Sequence, residues 1–414
     1  MNQHIQAFQA QPHERAPQSG GMVIVHVLTR FLKTGGSEQN TIINCRAQAA
    51  EGHRVIIVYG AEFHEETCRA ASDIAEMIRI DDLVHAVDAV RDARALVQMT
   101  SLFRRLRPDV VHTHQSKAGV LGRMAAKLAD VPAIIHSVHI LPFVNVGWKA
   151  ATAYKAVEWF CALYTDAFIS VSPSVRDAYL DLRIGRPDQH FVALSAMNVE
   201  RFKTAQPPAD WRELLGLGPE QPKPPTVVMV AAFEARKRQL ELIRALPEAF
   251  AGLPDWRLLF VGDGELRAEA QALADELGLA RHVCFSGYRT DPESLIALAD
   301  VCMLTSVREG LPRVLIQYAA AGKPAVVSDL PGLKDIVLPD VSAIVTPPDD
   351  PAAAARAAAR LLADPEDCAR LAAGARSVPV DAWSPESMMR QIERAYESVM
   401  PRPRAPALLS SVSP

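Results

Sequence analysis

VCMLTSVREGLPRVLIQYAAAGKPAVVSD, residues 301–329, holds a complete strand–turn–helix–strand unit. VCMLTS (301–306) is apolar almost throughout, as a strand is when helices cover both faces of a parallel sheet. Pro312 stands at the entry to a helix over 313–321. AVVSD (325–329) is the next strand. The turn between strand and helix, Ser306-Val307-Arg308-Glu309-Gly310-Leu311-Pro312, places Glu309 at the carboxyl end of a strand. A carboxylate there can accept hydrogen bonds from sugar hydroxyls, and Gly310 and Leu311 stand beside it as backbone donors. Gln317 lies one to two helical turns further on and is expected on the same side.

The same grammar extends in both directions. TVVMVAAF (226–233), RLLFVGDG (257–264), HVCFSG (282–287) and SAIVTP (342–347) read as strands, with helices near 238–251, 265–278, 351–363 and 366–376. Upstream, VIVHVL (23–28), VIIVY (55–59), VVHT (110–113), AIIHSV (133–138) and AFISVS (167–172) repeat the plan. The fold class is therefore α/β, with two Rossmann-like, doubly wound domains expected to face each other across a cleft, ligands lying at the carboxyl ends of the strands. KTAQPP (203–208) and GPEQPKPP (218–225) are Pro-rich and aperiodic. The expected division is an unstructured stretch 1–21, a first domain 22–203, a linker 204–225 and a second domain 226–384. A crossover helix 385–400 and an unstructured tail 401–414 complete it.

A chain of 414 residues, 49% of them hydrophobic, can bury two ordinary cores. Lys plus Arg total 44 against 48 Asp plus Glu, which gives no basic excess for nucleic acid. Six cysteines (45, 68, 161, 284, 302, 368) form no C-x-x-C pair and read as buried thiols of a reducing compartment. QAQPHERAPQSGG (9–21) lacks the apolar core of a signal peptide, and no run reaches membrane-spanning length. A cytoplasmic location is expected.

Three further turns are candidates. Gly35-Gly36-Ser37-Glu38 follows the first strand and opens a helix, where free N–H groups can meet an anion or form an ordinary tight turn. Gly262-Asp263-Gly264 lacks the third glycine of a dinucleotide fingerprint, since Arg267 stands there, which disfavours an NAD enzyme; Gly262 is expected to border the donor nucleotide or to form an ordinary tight turn. Arg236-Lys237-Arg238 is expected to begin a helix, so its three cations oppose the helix dipole, a cost that a bound diphosphate would offset; the alternative is a solvated basic turn. His112, His114, His136 and His139 cluster at two strand ends without Cys or acid, a poor metal set. His139, at a strand-to-loop exit, is a catalytic candidate with Glu309 and Lys237.

Together with VHTHQSKAGVLGRMAA (111–126), IIHSVHILPF (134–143), ISVSPSV (169–175), FVGDGELR (260–267), FSGYRTD (285–291) and REGLPRVLIQYAAAGKPAVVSD (308–329), the Gly35–Glu38 turn resembles glycosyltransferase family 4 over roughly 22–400. That resemblance implies a GT-B fold and retaining transfer from a nucleotide-sugar without a metal or other cofactor. It implies that Glu309 meets the donor sugar, that Lys237 and Arg236 hold the diphosphate, and that the base lies near Tyr288 and Arg289. The chain departs from the family pattern in three places. Gln317 replaces the second Glu, which holds the ribose. Ala231 or Ala232 replaces an Arg. Ser195-Ala196-Met197-Asn198 replaces the usual Asn-Gly-Val-Asp.

The family also implies a saccharide acceptor, often linked to polyprenyl diphosphate at the inner membrane face. Residues 143–164 gather Phe143, Trp148, Tyr154, Trp159, Phe160 and Tyr164 around Lys149 and Lys155, with Trp148, Lys155 and Trp159 on one helical face. That face suits either an anionic bilayer interface or a core. A sugar-nucleotide epimerase of the same architecture is the rival enzyme and needs paired carboxylates about C2. A non-catalytic GT-B partner protein is the third reading, supported by Gln317 and the missing Arg.

Overall fold

The computed structural model describes residues 21–33, 36–144, 146–309, 312–330 and 333–400. Gly35, Gly310, Leu311 and the two expected unstructured ends (1–20 and 401–414) lie outside the described residues.

The chain divides into two compact units: Met1–Ala196 with Pro385–Pro414, and Met197–Ser384. The first unit holds β1 (Val23–Phe31), β2 (Arg54–Phe63), β3 (Glu76–Arg79), β4 (Val110–His114), β5 (Ala133–Val138), β6 (Ala167–Ser170) and β7 (His190–Val192). They form one parallel sheet in the order β3-β2-β1-β4-β5-β6-β7. The second unit holds β8 (Thr226–Val230), β9 (Arg257–Val261), β10 (Val283–Gly287), β11 (Val301–Leu304), β12 (Ala325–Ser328) and β13 (Ala343–Thr346), parallel in the order β10-β9-β8-β11-β12-β13. In each sheet the order reverses once, at β1/β4 and at β8/β11. Such a reversal splays the flanking loops apart and opens a ligand crevice beyond the strand ends.

The central strands are apolar on both faces because helices cover both. Val25, Val27 and Val111 pack beneath Met99, Phe103, Ala118 and Ala125. Ile24, Val110, Ile135 and Ala167 pack on the other face beneath Met388, Met389, Ile392 and Tyr396. The latter group sits on the helix Pro385–Val399, so the last described segment completes the first sheet's core.

β3 and β7 escaped the sequence reading. EMIR and HFV are short and half-buried, with too few apolar residues to stand out. The expected linker 204–225 falls inside the second unit. Its Pro-rich composition conceals the short helix Trp211–Leu214 and the fully buried Leu215, whose carbonyl accepts from Arg257 Nε at 3.0 Å. Of the six free cysteines, Cys284 and Cys368 are only partly buried, against the expectation that all six are core thiols.

Candidate functional site

In the second unit, the turns that follow β8 and β11 meet at the reversal point. Ala235–Lys237 is a single 3₁₀ turn, and the helix starts only at Gln239. Between them Arg238 adopts a left-handed φ of 60°. The expected three-cation helix start is thus not formed, because Arg236 and Lys237 precede the helix. The chain offsets the positive charge itself. Arg236 donates through Nε to Glu234 at 2.6 Å and through Nη1 to Glu309 at 2.9 Å. Lys237, itself buried, pairs with the other oxygen of Glu309. Arg238 pairs with Glu241 at 2.8 Å.

Backbone contacts fix these side chains. Val307 N donates to Arg236 O at 2.9 Å, and Thr305 Oγ1 donates to Lys237 O at 2.7 Å, tying the two turns together. Burial alone would push the Glu309 carboxyl up, but Lys237 and Arg236 outweigh it and hold it below the usual carboxylate range. Glu309 is therefore a fixed anion between two cations. Gln317 sits half-buried on the helix Arg313–Ala320, and its amide makes no hydrogen bond among the described residues. Sequence reasoning missed Glu234, whose carboxylate shares Arg236 with Glu309.

The Gly262 turn has a structural reason for its glycines. A Cβ on Gly262 (φ +145°) would lie 2.2 Å from Ala231 O, and one on Gly264 (φ +155°) 2.5 Å from Phe233 O. Both glycines admit the backbone that follows β8, which accounts for them without a ligand. After β10, Tyr288 is 72% exposed. Arg289 is committed to Asp291 at 2.8 Å and Asp210 at 2.9 Å, so its side chain serves the turn.

In the first unit, Gly36 heads the helix Gly36–Ala50 directly after β1. His114 ends β4 and His139 follows β5. The rings are linked: His114 Nδ1 lies 3.1 Å from His139 Nε2, and His114 Nε2 lies 3.0 Å from His26 Nδ1. His26 Nε2 reaches Gln48 Oε1 at 2.8 Å. His112 contacts Tyr396 Oη at 2.9 Å and Ser137 Oγ at 2.8 Å, while His136 contacts Thr113 Oγ1 at 2.9 Å. Burial pushes the pKa of His26 and of His139 down to about 4, so both imidazoles are neutral at pH 7. His26, His112 and His114 could hold a metal by proximity, one nitrogen from each lying within 4.8 Å of the others. All six of their nitrogens already have hydrogen-bond partners. His26 and Gln48 were not singled out in the sequence. Their signal was a polar stripe, Asn40, Asn44 and Gln48, spaced by four and facing inward on the first helix.

The family model "Glycosyl transferases group 1" matches residues 218–378, and "Glycosyltransferase Family 4" matches 34–192. EpsD of Bacillus subtilis, which carries a glycosyltransferase name, is 32% identical over 271 residues, 64% of this chain and 70% of that protein. The chain belongs to glycosyltransferase family 4. Its fold is GT-B. Within the family, the Escherichia coli UDP-Gal:alpha-D-GlcNAc-diphosphoundecaprenol alpha-1,3-galactosyltransferase is 28% identical over 263 residues, 61% of this chain and 66% of that enzyme. The crystal structure of Anabaena HepE in complex with UDP matches with a TM-score of 0.74 at 20% identity, over 91% of this chain and all of that one.

The helix Trp148–Ala162 in the first unit turns its apolar side outward. Trp148, Trp159, Phe160 and Leu163 are 75%, 56%, 52% and 68% exposed, while Glu158 is buried and paired with Arg123 at 2.9 Å. Phe143 belongs to the core instead and Tyr164 is only partly exposed, so neither extends the exposed face. No helix among the described residues is long and apolar enough to cross a membrane.

Proposed function

We propose that this glycosyltransferase moves a hexose or N-acetylhexosamine, with retention at the anomeric carbon, from a UDP- or GDP-sugar to a lipid-linked saccharide at the cytoplasmic membrane face. The pathway would be cell-surface polysaccharide assembly. The observation that carries this reading is the Arg236–Glu309–Lys237 triad at the reversal point of the second sheet. Two cations that converge there on Glu309, one of them also engaged by Glu234, suit a diphosphate, whose charge grows as the glycosidic bond breaks. As the cations turn to the phosphates, Glu309 is freed to accept hydrogen bonds from the donor sugar. Gly310 and Leu311 lie beside it in sequence, Gln317 suits the ribose, and the backbone at Tyr288 and Arg289 suits the base. An oxygen of the departing diphosphate takes the acceptor's proton on the same face, so no protein nucleophile is needed. Arg236 and Lys237 supply the positive charge a metal would otherwise bring, and no cofactor beyond the co-substrate is required.

In the first unit, Gly35-Gly36, which follow β1 in sequence, suit an anionic ligand group, and His139, neutral through burial, accepts a hydrogen bond from a sugar hydroxyl. A lipid-linked acceptor is supported by the outward Trp148, Trp159, Phe160 and Leu163 beside Lys149 and Lys155, and by the diphosphoundecaprenol substrate in the name of the Escherichia coli relative. The epimerase reading is disfavoured, because a Glu309 held ionised between cations is a weak base for a carbon-bound proton.

Incubating the full chain with UDP-galactose, UDP-glucose, UDP-N-acetylglucosamine or GDP-mannose and undecaprenyl-diphosphate-linked N-acetylglucosamine tests the proposal. The expected product is an extended lipid-linked saccharide with one nucleoside diphosphate per transfer. Interconversion of the sugar nucleotide without acceptor would establish the epimerase. Absence of turnover together with absence of both UDP and GDP binding would favour a non-catalytic protein.

A further inference from the structure

Five buried or half-buried histidines gather in the first unit, and three of them, His26, His114 and His139, are joined ring to ring. The chain of contacts has a direction. Gln48 Oε1 is an amide carbonyl and can only accept, so His26 Nε2, 2.8 Å away, carries the proton. A neutral imidazole has one proton, which leaves His26 Nδ1 bare. His114 Nε2, 3.0 Å from it, must then donate, and His114 Nδ1 is bare in turn. His139 Nε2, 3.1 Å from that atom, donates, and His139 Nδ1 is left with a free lone pair. Burial of all three rings penalises the second proton that would break this order.

We propose that Gln48, His26 and His114 are positioning residues that fix His139 in the Nε2–H tautomer and present its Nδ1 as a permanent hydrogen-bond acceptor to a sugar hydroxyl. The inference rests on the reading of His139 as a site residue, and it adds what that reading lacks, namely how one of two equivalent ring nitrogens is selected. His139 Nδ1 makes no hydrogen bond among the described residues, and His139 follows a strand at the sheet's carboxyl edge, where ligands of such sheets bind. The residue that sets the direction lies three contacts away on the helix Gly36–Ala50. His112 and His136 stand apart from the relay, their nitrogens turned to Tyr396, Ser137 and Thr113.

Long-range proton–nitrogen NMR of the full chain labelled with ¹⁵N-histidine, at pH 7, reads each tautomer directly, with His139→Gln assigning the His139 signals. In the wild type, His26, His114 and His139 should all be neutral Nε2–H tautomers. Any of the three in the Nδ1–H form overturns the proposal without recourse to a variant. Gln48→Met removes the carbonyl at nearly constant volume. It should let His139 sample both tautomers and lower kcat with UDP-galactose roughly tenfold while KM stays within about twofold. An unchanged His139 tautomer in Gln48→Met overturns the relay whatever the activity. If the tautomer is released but kcat is unaltered both there and in His139→Ala, the relay exists and the reading of His139 as a site residue fails instead.

Discussion

Lys237, on the turn after β8, and Glu309, on the turn after β11, form an ion pair at the place where the strand order of the second sheet reverses. Both side chains are about nine-tenths buried, so neither charge can be removed without consequence for the other. On the proposed reading, the pair would hold a cation for an anionic ligand and neutralise it until that ligand arrives.

Glu309→Gln should reduce transfer by about 10²-fold or more, since an interaction made with the reacting sugar is lost. From sequence alone the fold would be expected to stand unaltered, but the structure leaves Lys237 nearly buried without its counter-ion. A stability loss of about 1–3 kcal/mol should therefore accompany the substitution, read as a lower urea midpoint. UDP should restore more stability to this variant than to the wild type, because the freed cations meet the diphosphate unopposed. Near-normal turnover would remove Glu309 from the site.

Lys237→Ala should weaken UDP binding and slow transfer, by about 2–4 kcal/mol in transition-state stabilisation. Arg236→Ala should do the same to a smaller degree, since Arg236 is about one-third exposed and also serves Glu234. Titration calorimetry with UDP separates the two. Wild-type affinity in Lys237→Ala would refute the phosphate role.

Transfer should survive a chelator. Arg236 and Lys237 provide the positive charge at the reversal point, and both ring nitrogens of His26, His112 and His114 already have hydrogen-bond partners. Activity lost in EDTA and regained with manganese or magnesium would contradict this.

Acid should destabilise the first unit earlier than carboxylate titration alone predicts. His26 and His139 have pKa values depressed to about 4 in the folded chain, against the ordinary 6.5 of an unfolded one. Between those values the unfolded chain binds more protons. The stability contribution is thus full above pH 6.5 and is lost as pH falls toward 4, at about 1.4 kcal/mol per pH unit for each ring. Urea midpoints at pH 7 and pH 5 measure it. The difference should shrink in His139→Gln, and an undiminished difference would exclude His139 as a source.

Anionic vesicles of phosphatidylglycerol and phosphatidylcholine should sediment the protein at low salt and less of it at high salt. Lys149 and Lys155 supply the screened part, and Trp148, Trp159, Phe160 and Leu163 the apolar part. Trp148→Ala with Lys155→Glu should abolish sedimentation without loss of stability, since Trp148 is largely exposed. Failure to sediment under either condition would assign that helix to a protein partner.

The two sheets were legible because β-branched, doubly buried strands leave apolar runs that no helix period explains, as at Val23–Leu28 and Thr226–Phe233. Glu309 and Lys237 were legible from their places at strand ends. What the sequence concealed were pairings. That Glu309 and Lys237 touch depends on β8 and β11 being neighbours, a relation set by 70 intervening residues. The link from Gln48 to His139 joins residues on the first helix, β1, β4 and the exit of β5, and no local pattern brings those together. The aromatic helix 148–162 was ambiguous for a similar reason. Which side faces out is decided by Glu158, which turns inward to a fully buried Arg123 thirty-five residues earlier.

The helix Pro385–Val399 has a consequence for how the protein is made. Its Met388, Met389, Ile392 and Tyr396 seal one face of a sheet whose strands were all synthesised before residue 193. During translation that face, covered only in part by the helix Gly36–Ala50, must wait for its remaining cover while the whole of Met197–Ser384 emerges and becomes free to fold. The half of the chain that leaves the ribosome first is the last to close its core, so pausing or truncation late in the message would harm the N-terminal half rather than the C-terminal one.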